Sequence, residues 1–493
     1  MDLDQAATAA FASGHLSGIL PSSLSVARVV KALIAASEEK IAQIDSQIRD
    51  LQHMRAREYG LITSLKLVIS PIRKLPDELL ATIFDDAVCT LQSAVRLSHV
   101  CKHWRLLAHR TPALWTPPLP PRLLKRTSQS VQYIQITKAY LERSMPHPIS
   151  LCLNCTSRDV KIPSALADVL LVGASRWVYL EVQDHPSVLQ ALAKLRPDAL
   201  KMLRTVALRG DSVTETAAVT VFLCAPLLRE VTLQVANTTK FPMPWAQLTE
   251  LDLWEDSFPI WLNILLQCTN LVHAKIYPSR GTEEDETTDN FTIPVTLPFL
   301  ETLHLFFPTR NVGSCFGRLA LPKLRKLQMS LDVDDGEWSA ATSAVFSQFQ
   351  DRSPNIEHFA ITLCDLSPDA LHSILLHSPN LADLCLECCR YCVDDHLLEQ
   401  MQRHEEDQAH LVPRLERLLV WDVDDSWTEE RLLAMIKSRW WTTEELQALP
   451  APPPVAPLQR VGISRIHSDP PFSESFLQEI SRLRARGLDV KII

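Results

Sequence analysis

One template recurs beyond residue 145: L-x-x-L-x-L, with other apolar residues admitted at the three fixed places. It stands at Leu203-Val206-Leu208, Leu228-Val231-Leu233, Leu248-Leu251-Leu253, Leu271-Ala274-Ile276 and Leu300-Leu303-Leu305. It continues at Leu324-Leu327-Met329, Ile356-Phe359-Ile361, Leu381-Leu384-Leu386 and Leu415-Leu418-Val420. Weaker copies are Trp177-Leu180-Val182 before these and Leu458-Val461-Ile463 after them. Leu151 and Leu153 fit a first strand, and the closing GLDVKII fits a last. The fourth and sixth places alternate as on a β-strand, so both side chains turn to one face. No single strand of this kind can bury that face; stacked neighbours can, by forming one continuous core.

The starts are spaced irregularly, from 20 residues (228 to 248) to 43 (415 to 458). Most fall in or near the interval of about 20–29 residues of leucine-rich repeats. LADLCLECC puts Cys389, and IEHFAITLC puts Cys364, where this repeat type takes Asn or Cys. Most other copies lack that residue, so the repeats are degenerate. The expected fold class is α/β: N-terminal helices, then a solenoid over 146–493 with one parallel strand per repeat. Inserts are expected near 281–290 (GTEEDETTDN), 403–408 (RHEEDQ) and 449–457 (LPAPPPVAP). The first two read as charged loops and the third as an extended spacer.

Parity also says what faces outward. With places four and six inward, places three, five and seven form the opposite, concave face. Place seven carries Trp254, Tyr277 and Phe306 in three consecutive repeats, and place five beside it carries Asp252, Lys275 and His304. An aromatic ridge flanked by polar groups has the composition of a binding hot spot. The alternative is that these rings cap the strand ends under a loop.

Composition narrows the function. The chain has 493 residues, 46% hydrophobic and 22% charged, as folded globular proteins do. A net charge of −9 argues against a nucleic-acid binder. The acidic start MDLDQAATAAF and a first basic residue at Arg28 do not read as a secretory signal. No apolar run approaches the ~18 residues of a membrane span. The expectation is an intracellular protein, cytoplasmic or nuclear, with no membrane and no nucleic-acid partner. Twelve cysteines then read as reduced thiols, and eleven glycines leave no phosphate-cradling loop. CLECCRYC supplies Cys385, Cys388, Cys389 and Cys392, with His396 nearby. Its C-x-x-C pairs abut, and Cys385 and Cys389 point opposite ways, so neither metal nor cofactor is expected. The lone C-x-x-C at Cys152 and Cys155 has no redox context.

Residues 1–23 are expected to be a flexible N-terminus, and 24–69 a helix without proline. Ile34, Ile41, Ile48, Ile62 and Ile69 fit one heptad position, and Ile44, Leu51 and Leu65 the other. Arg55 and Glu58 interrupt the seam. Two readings follow: a helix folded on its neighbour, or a coiled coil that self-associates. Residues 70–116 form a compact helical unit, with Pro76 at a helix start, Asp77 and Glu78 in the first turn, and apolar residues at 79, 80, 83 and 84. Leu91, Val95, Leu97 and Val100 suggest a second helix, and Trp104, Leu107 and Ala108 a third. Residues 117–145 are a linker and helix.

LPDELLATIF followed by LSHVCKHWRLLAHRTPALW resembles an F-box. The matching residues are Leu75-Pro76, Glu78, Leu79-Leu80, Ile83-Phe84, Val100-Cys101, Trp104-Arg105 and Leu114-Trp115. DDAVCTLQSA replaces the commoner proline-containing turn between the first two helices. The resemblance extends to F-box proteins with leucine-rich C-terminal regions. It implies a non-catalytic substrate-recognition subunit of a cullin–RING ubiquitin ligase, docked on the SKP adaptor and holding an unknown protein substrate on its repeats. It would place Leu75, Pro76, Leu79, Ile83, Phe84, Val100, Cys101, Trp104 and Leu107 against the adaptor. A unit this small cannot hide all its apolar side chains, which fits a partner-facing patch; packing on the repeats or the N-terminal helix is the alternative. A leucine-rich scaffold outside any ligase is the second functional reading. An enzyme is the third, and no acid, base or nucleophile spacing supports it.

Overall fold

The computed structural model describes residues 24–118, 130–153, 164–183, 186–210, 218–255, 257–277, 295–307, 312–331, 338–403, 410–423, 426–449, 451–465 and 472–492. The expected tail over 1–23 and acidic insert at 281–290 lie outside them, as does most of the insert at 403–408. The chain divides into two compact units, 1–83 and 84–493. Among the described residues, no helix is long and apolar enough to cross a membrane.

In the first unit, helix α1 spans Leu24–Val68. Of its described side chains between Arg28 and Lys66, all but Leu33 are exposed. The expectation that its apolar stripe folds onto a neighbour is therefore not met within its unit. A short turn, Pro71–Lys74, leads to α2, Asp77–Ala87, which runs across the division between the units. Pro76 stands one place earlier than expected: its carbonyl accepts the first helical hydrogen bond, from Leu80 N at 3.1 Å.

The second unit continues with α3, Leu91–Ser98, and α4, Lys102–Arg110. Thr90 caps α3 by accepting from Ser93 N, and Cys101 Sγ caps α4 by accepting from Trp104 N. Helix α3 stops short of Val100, which the sequence pattern had included; Val100 lies in the turn and is exposed. Helix α5, Ser130–Arg143, leads into the repeats.

Thirteen strands then form one sheet in chain order. They are β1 Ile149–Leu153, β2 Trp177–Gln183, β3 Thr205–Gly210, β4 Glu230–Val235, β5 Glu250–Trp254, β6 His273–Tyr277 and β7 Thr302–Phe307. The rest are β8 Lys326–Leu331, β9 His358–Thr362, β10 Asp383–Glu387, β11 Arg417–Val423, β12 Arg460–Arg465 and β13 Asp489–Ile492. Strands β2 to β12 match the template or its weaker copies, β1 and β13 fall at Leu151–Leu153 and GLDVKII, and every neighbour is parallel. The fourth-place residues align in one row, Leu180, Val206, Val231, Leu251, Ala274, Leu303, Leu327, Phe359, Leu384, Leu418 and Val461. All are buried, as are the first-place leucines from Leu203 to Leu458. Each such side chain other than Ala274 contributes about 1.5–3 kcal/mol on burial, which makes the shared register the main source of cohesion. The fold is thus the expected α/β solenoid.

Two features were not anticipated. Val295–Thr296 and Leu319–Ala320 pair as a separate two-stranded ribbon. The proline-rich stretch is also no free spacer: Val455 is buried and Ala456 N donates to Pro413 O at 2.7 Å.

Candidate functional site

Helix α2 separates its apolar residues into two stripes. Leu79 and Ile83 share one face and are 55% and 46% exposed, whereas Leu80 and Phe84 are 1% exposed. Leu75 is half-buried and Pro76 exposed. In the second unit, Phe84 meets Trp104 edge to face, with ring centroids 4.7 Å apart. Leu107 is also buried. Phe84 and Leu107 are therefore interior residues, which corrects their expected place on a partner-facing surface. Val100 is exposed, and Trp104 and Cys101 are half-buried. Arg105 Nε donates to Ser98 O at 2.9 Å and fixes α4 against the end of α3.

The trailing Leu114-Trp115 is a joint rather than a contact surface. Both residues are buried, and Trp115 Nε1 donates to Ala108 O at 2.7 Å. The Arg143 guanidinium of α5 lies 4.6 Å from the centroid of the Trp115 ring. Arg176, just before β2, donates to Leu141 O at 2.8 Å, His147 O at 2.9 Å and Ser144 Oγ at 3.2 Å. These bonds satisfy one carbonyl in the last turn of α5 and tie the helix and the segment after it to the first repeats. Sequence reasoning passed over Arg176, because nothing in its own repeat distinguishes it.

On the sheet, parity places the expected aromatic column on one face. Trp254 pairs in register with Tyr277, and their rings lie 5.0 Å apart; Tyr277 and Phe306 are 6.2 Å apart. Trp254 is 44% exposed, and the other two rings are half-buried. Asp252, Lys275 and His304 occupy successive places in the adjacent row. Asp252 Oδ1 and His304 Nε2 are buried and have no hydrogen-bond partner among the described residues. Burial raises the Asp252 carboxyl, against the pull of Lys275 and Arg209. Burial also lowers His304, helped by Lys275 and Lys326. A buried polar atom without a partner is costly, so this floor is suited to a polar ligand group beside the aromatic column.

A polar cluster adjoins it that sequence reasoning missed. Glu181 at place five of β2 is buried and accepts from Arg209 Nη1 at 2.8 Å, from Tyr179 OH at 3.0 Å and from Cys152 Sγ at 3.0 Å. Burial first, then Glu181, pushes the Tyr179 hydroxyl up to about 12. The outward places three, five and seven held the signal, since Tyr179, Glu181 and Arg209 fill them. At CLECCRYC, Cys389 is fully buried and donates to Ile361 O and Glu387 O at 3.5 Å each, while Cys385 is half-buried on the outward place. Among the described residues, no group of three or more His, Cys, Asp or Glu is placed to hold a metal ion.

A sequence profile described as F-box-like matches residues 72–119, and the chain carries an F-box-like domain there. No curated protein matches the chain. Similar solved structures include a chain of the yeast Rad7 and Elc1 complex, 15% identical over 76% of this chain and 95% of that one, with a TM-score of 0.31. The leucine-rich repeat-containing protein LegL7 of Legionella pneumophila is 12% identical over 73% of this chain and 96% of that one, with a TM-score of 0.33. A Bacteroides fragilis protein is 13% identical over 62% and 69%, with a TM-score of 0.30. Likenesses this distant say nothing of partners or activity.

Proposed function

We propose that the chain is the substrate-recognition subunit of an SCF-type cullin–RING E3 ubiquitin ligase. The observation that carries this reading is an F-box-like domain at 72–119 joined to a leucine-rich-type solenoid. Within that domain, Leu79 and Ile83 stand in solvent while Leu80 and Phe84 do not. Leu75, Pro76, Leu79 and Ile83 on the first unit, and Val100, Cys101 and Trp104 on the second, would meet the SKP-family adaptor. Phe84 and Leu107 would support the second unit's part of that surface from within.

The concave face would hold the protein substrate. Trp254, Tyr277 and Phe306 supply apolar area, and Asp252, Lys275 and His304 supply polar contacts beside it. In this reading the chain contributes no catalytic residue, since ubiquitin transfer is performed by the enzyme the ligase recruits. The bonded joint through Trp115, α5 and Arg176 matters here, because delivery requires the substrate to be held at a fixed place.

The test is reconstitution of the full chain with a SKP-family adaptor and a cullin. A complex retaining all three, lost when Leu79 and Ile83 are both changed to Ala, supports the reading. Failure of the wild-type chain to join the complex rejects it and leaves an interaction scaffold outside a ligase.

A further inference from the structure

We propose that helix α1 pairs with α1 of a second copy of this chain, antiparallel, with Arg55 of each copy opposite the partner's Glu58. This goes beyond the ligase reading and does not depend on it. Helix α1 is 45 residues long and proline-free. Its stripe of Ile34, Ile41, Ile44, Ile48, Leu51, Ile62 and Leu65 is between 45% and 60% exposed, and Ile69, just past its end, is 73% exposed. Apolar residues alternating three and four apart are the seam of a coiled coil, and a lone helix leaves such a seam in water.

The two interruptions decide the occupant and its direction. In a parallel, in-register pair, like positions face each other, so Arg55 would meet Arg55 and Glu58 would meet Glu58 inside the seam. In an antiparallel pair, the two heptad positions face one another. Setting Arg55 against Glu58 fixes the register, because facing residue numbers then sum to 113 (55 and 58). Leu51 then faces the partner's Ile62, Ile48 the partner's Leu65, and Ile44 the partner's Ile69. Every apolar residue from 44 to 69 in the stripe finds an apolar partner, and the only two charges in the seam find each other. Sliding one heptad either way sets Arg55 against Leu51 or Leu65, and Glu58 against Ile48 or Ile62. At the flank, Lys66 comes beside the partner's Asp45. The helical overlap, residues 45–68 of each copy, is roughly 36 Å at about 1.5 Å per residue, within the three to four heptads a coiled coil needs. Within one chain, the Arg55 guanidinium lies 5.4 Å from the Tyr59 ring centroid on the exposed surface, free to turn toward a partner carboxylate.

The test is sedimentation velocity on the full-length chain over a concentration series. The wild type should be a monomer–dimer equilibrium. Arg55→Glu alone and Glu58→Arg alone should each weaken it by about tenfold or more, because two facing pairs turn repulsive; the double exchange should restore it. Helicity by circular dichroism should be unchanged in all three. Direction is read by mild oxidation above the wild-type background set by the exposed Cys89 and Cys224. Leu51→Cys mixed with Ile62→Cys should cross-link, and neither variant alone should. A wild type that stays monomeric, which would hand the stripe to residues 1–23 or to another protein, overturns the proposal. So does a Leu51→Cys chain that cross-links to itself.

Discussion

Gly462→Ala is the smallest change that tests the geometry of the sheet's outward face. Gly462 is at place five of β12, beside Trp421 at place seven of β11. A Cβ built on Gly462 would lie 2.5 Å and 2.6 Å from Trp421 Cζ2 and Cη2, and 2.8 Å from Leu419 Cδ2. The indole therefore lies across the glycine. Elsewhere in a strand, Gly→Ala would stabilise by about 0.5–1 kcal/mol through chain entropy. Here overpacking costs about 1–3 kcal/mol, so the net expectation is a loss of about 1–2 kcal/mol. Leu419 is the end of a flexible side chain and can yield; the ring cannot yield without leaving its place. The assay is urea unfolding followed by circular dichroism, in a cycle with Trp421→Val. Gly462→Ala should be destabilising with Trp421 present and neutral or stabilising without it. Equal effects in both backgrounds would refute the placement of Trp421 across the strand.

Three further outcomes are expected. Changing Trp254, Tyr277 and Phe306 together to Ala should remove substrate capture, at about 2 kcal/mol or thirtyfold for each true hot-spot residue, and leave adaptor binding intact; retained capture in a proximity-labelling comparison would reject the aromatic column as the binding site. Glu181→Ala should cost about 2 kcal/mol in urea unfolding, discounted for the partial exposure of Arg209, since it removes an acceptor shared by three donors; a neutral substitution would mean the cluster is ornamental. His304 lies below its ordinary 6.5 because it is buried near two lysines. Its unfolded form takes a proton before the folded form does, so its contribution is fully present above pH 6.5 and is lost as pH falls through the lower folded value. The urea midpoint should therefore drop more steeply from pH 7.5 to 5.5 in the wild type than in His304→Gln, and identical slopes would contradict this.

The solenoid was legible because its signal is periodic. Leu251 and Leu253 alternate with Asp252, and the same alternation in each repeat fixes both which side is buried and how neighbours register. The aromatic column followed from that parity without further information. The interior of the helical unit was not legible in the same way. Spacing shows that Leu79 and Ile83 share a face, and so do Leu80 and Phe84, but not which pair is inside; contact of Phe84 with Trp104 decides it. The Glu181 cluster was hidden for a related reason. Its members belong to three strands, and none stands out within its own repeat. The proline-rich stretch misled because composition reads as a spacer, while Val455 packs and Ala456 bonds.

Within the F-box-like domain, the exposed stripe of α2 is the surface proposed to meet the adaptor. The most direct measurement is titration calorimetry of the full chain with a purified SKP-family adaptor, for the wild type and for Leu79→Ala with Ile83→Ala. Each side chain has about half its area left to bury, so the pair should be worth about 2–3 kcal/mol, or roughly a hundredfold in Kd. Tight wild-type binding that weakens by this factor, with unfolding unchanged, is the predicted result. No wild-type binding, or equal affinity for both chains, would mean that this stripe is not an adaptor-binding surface.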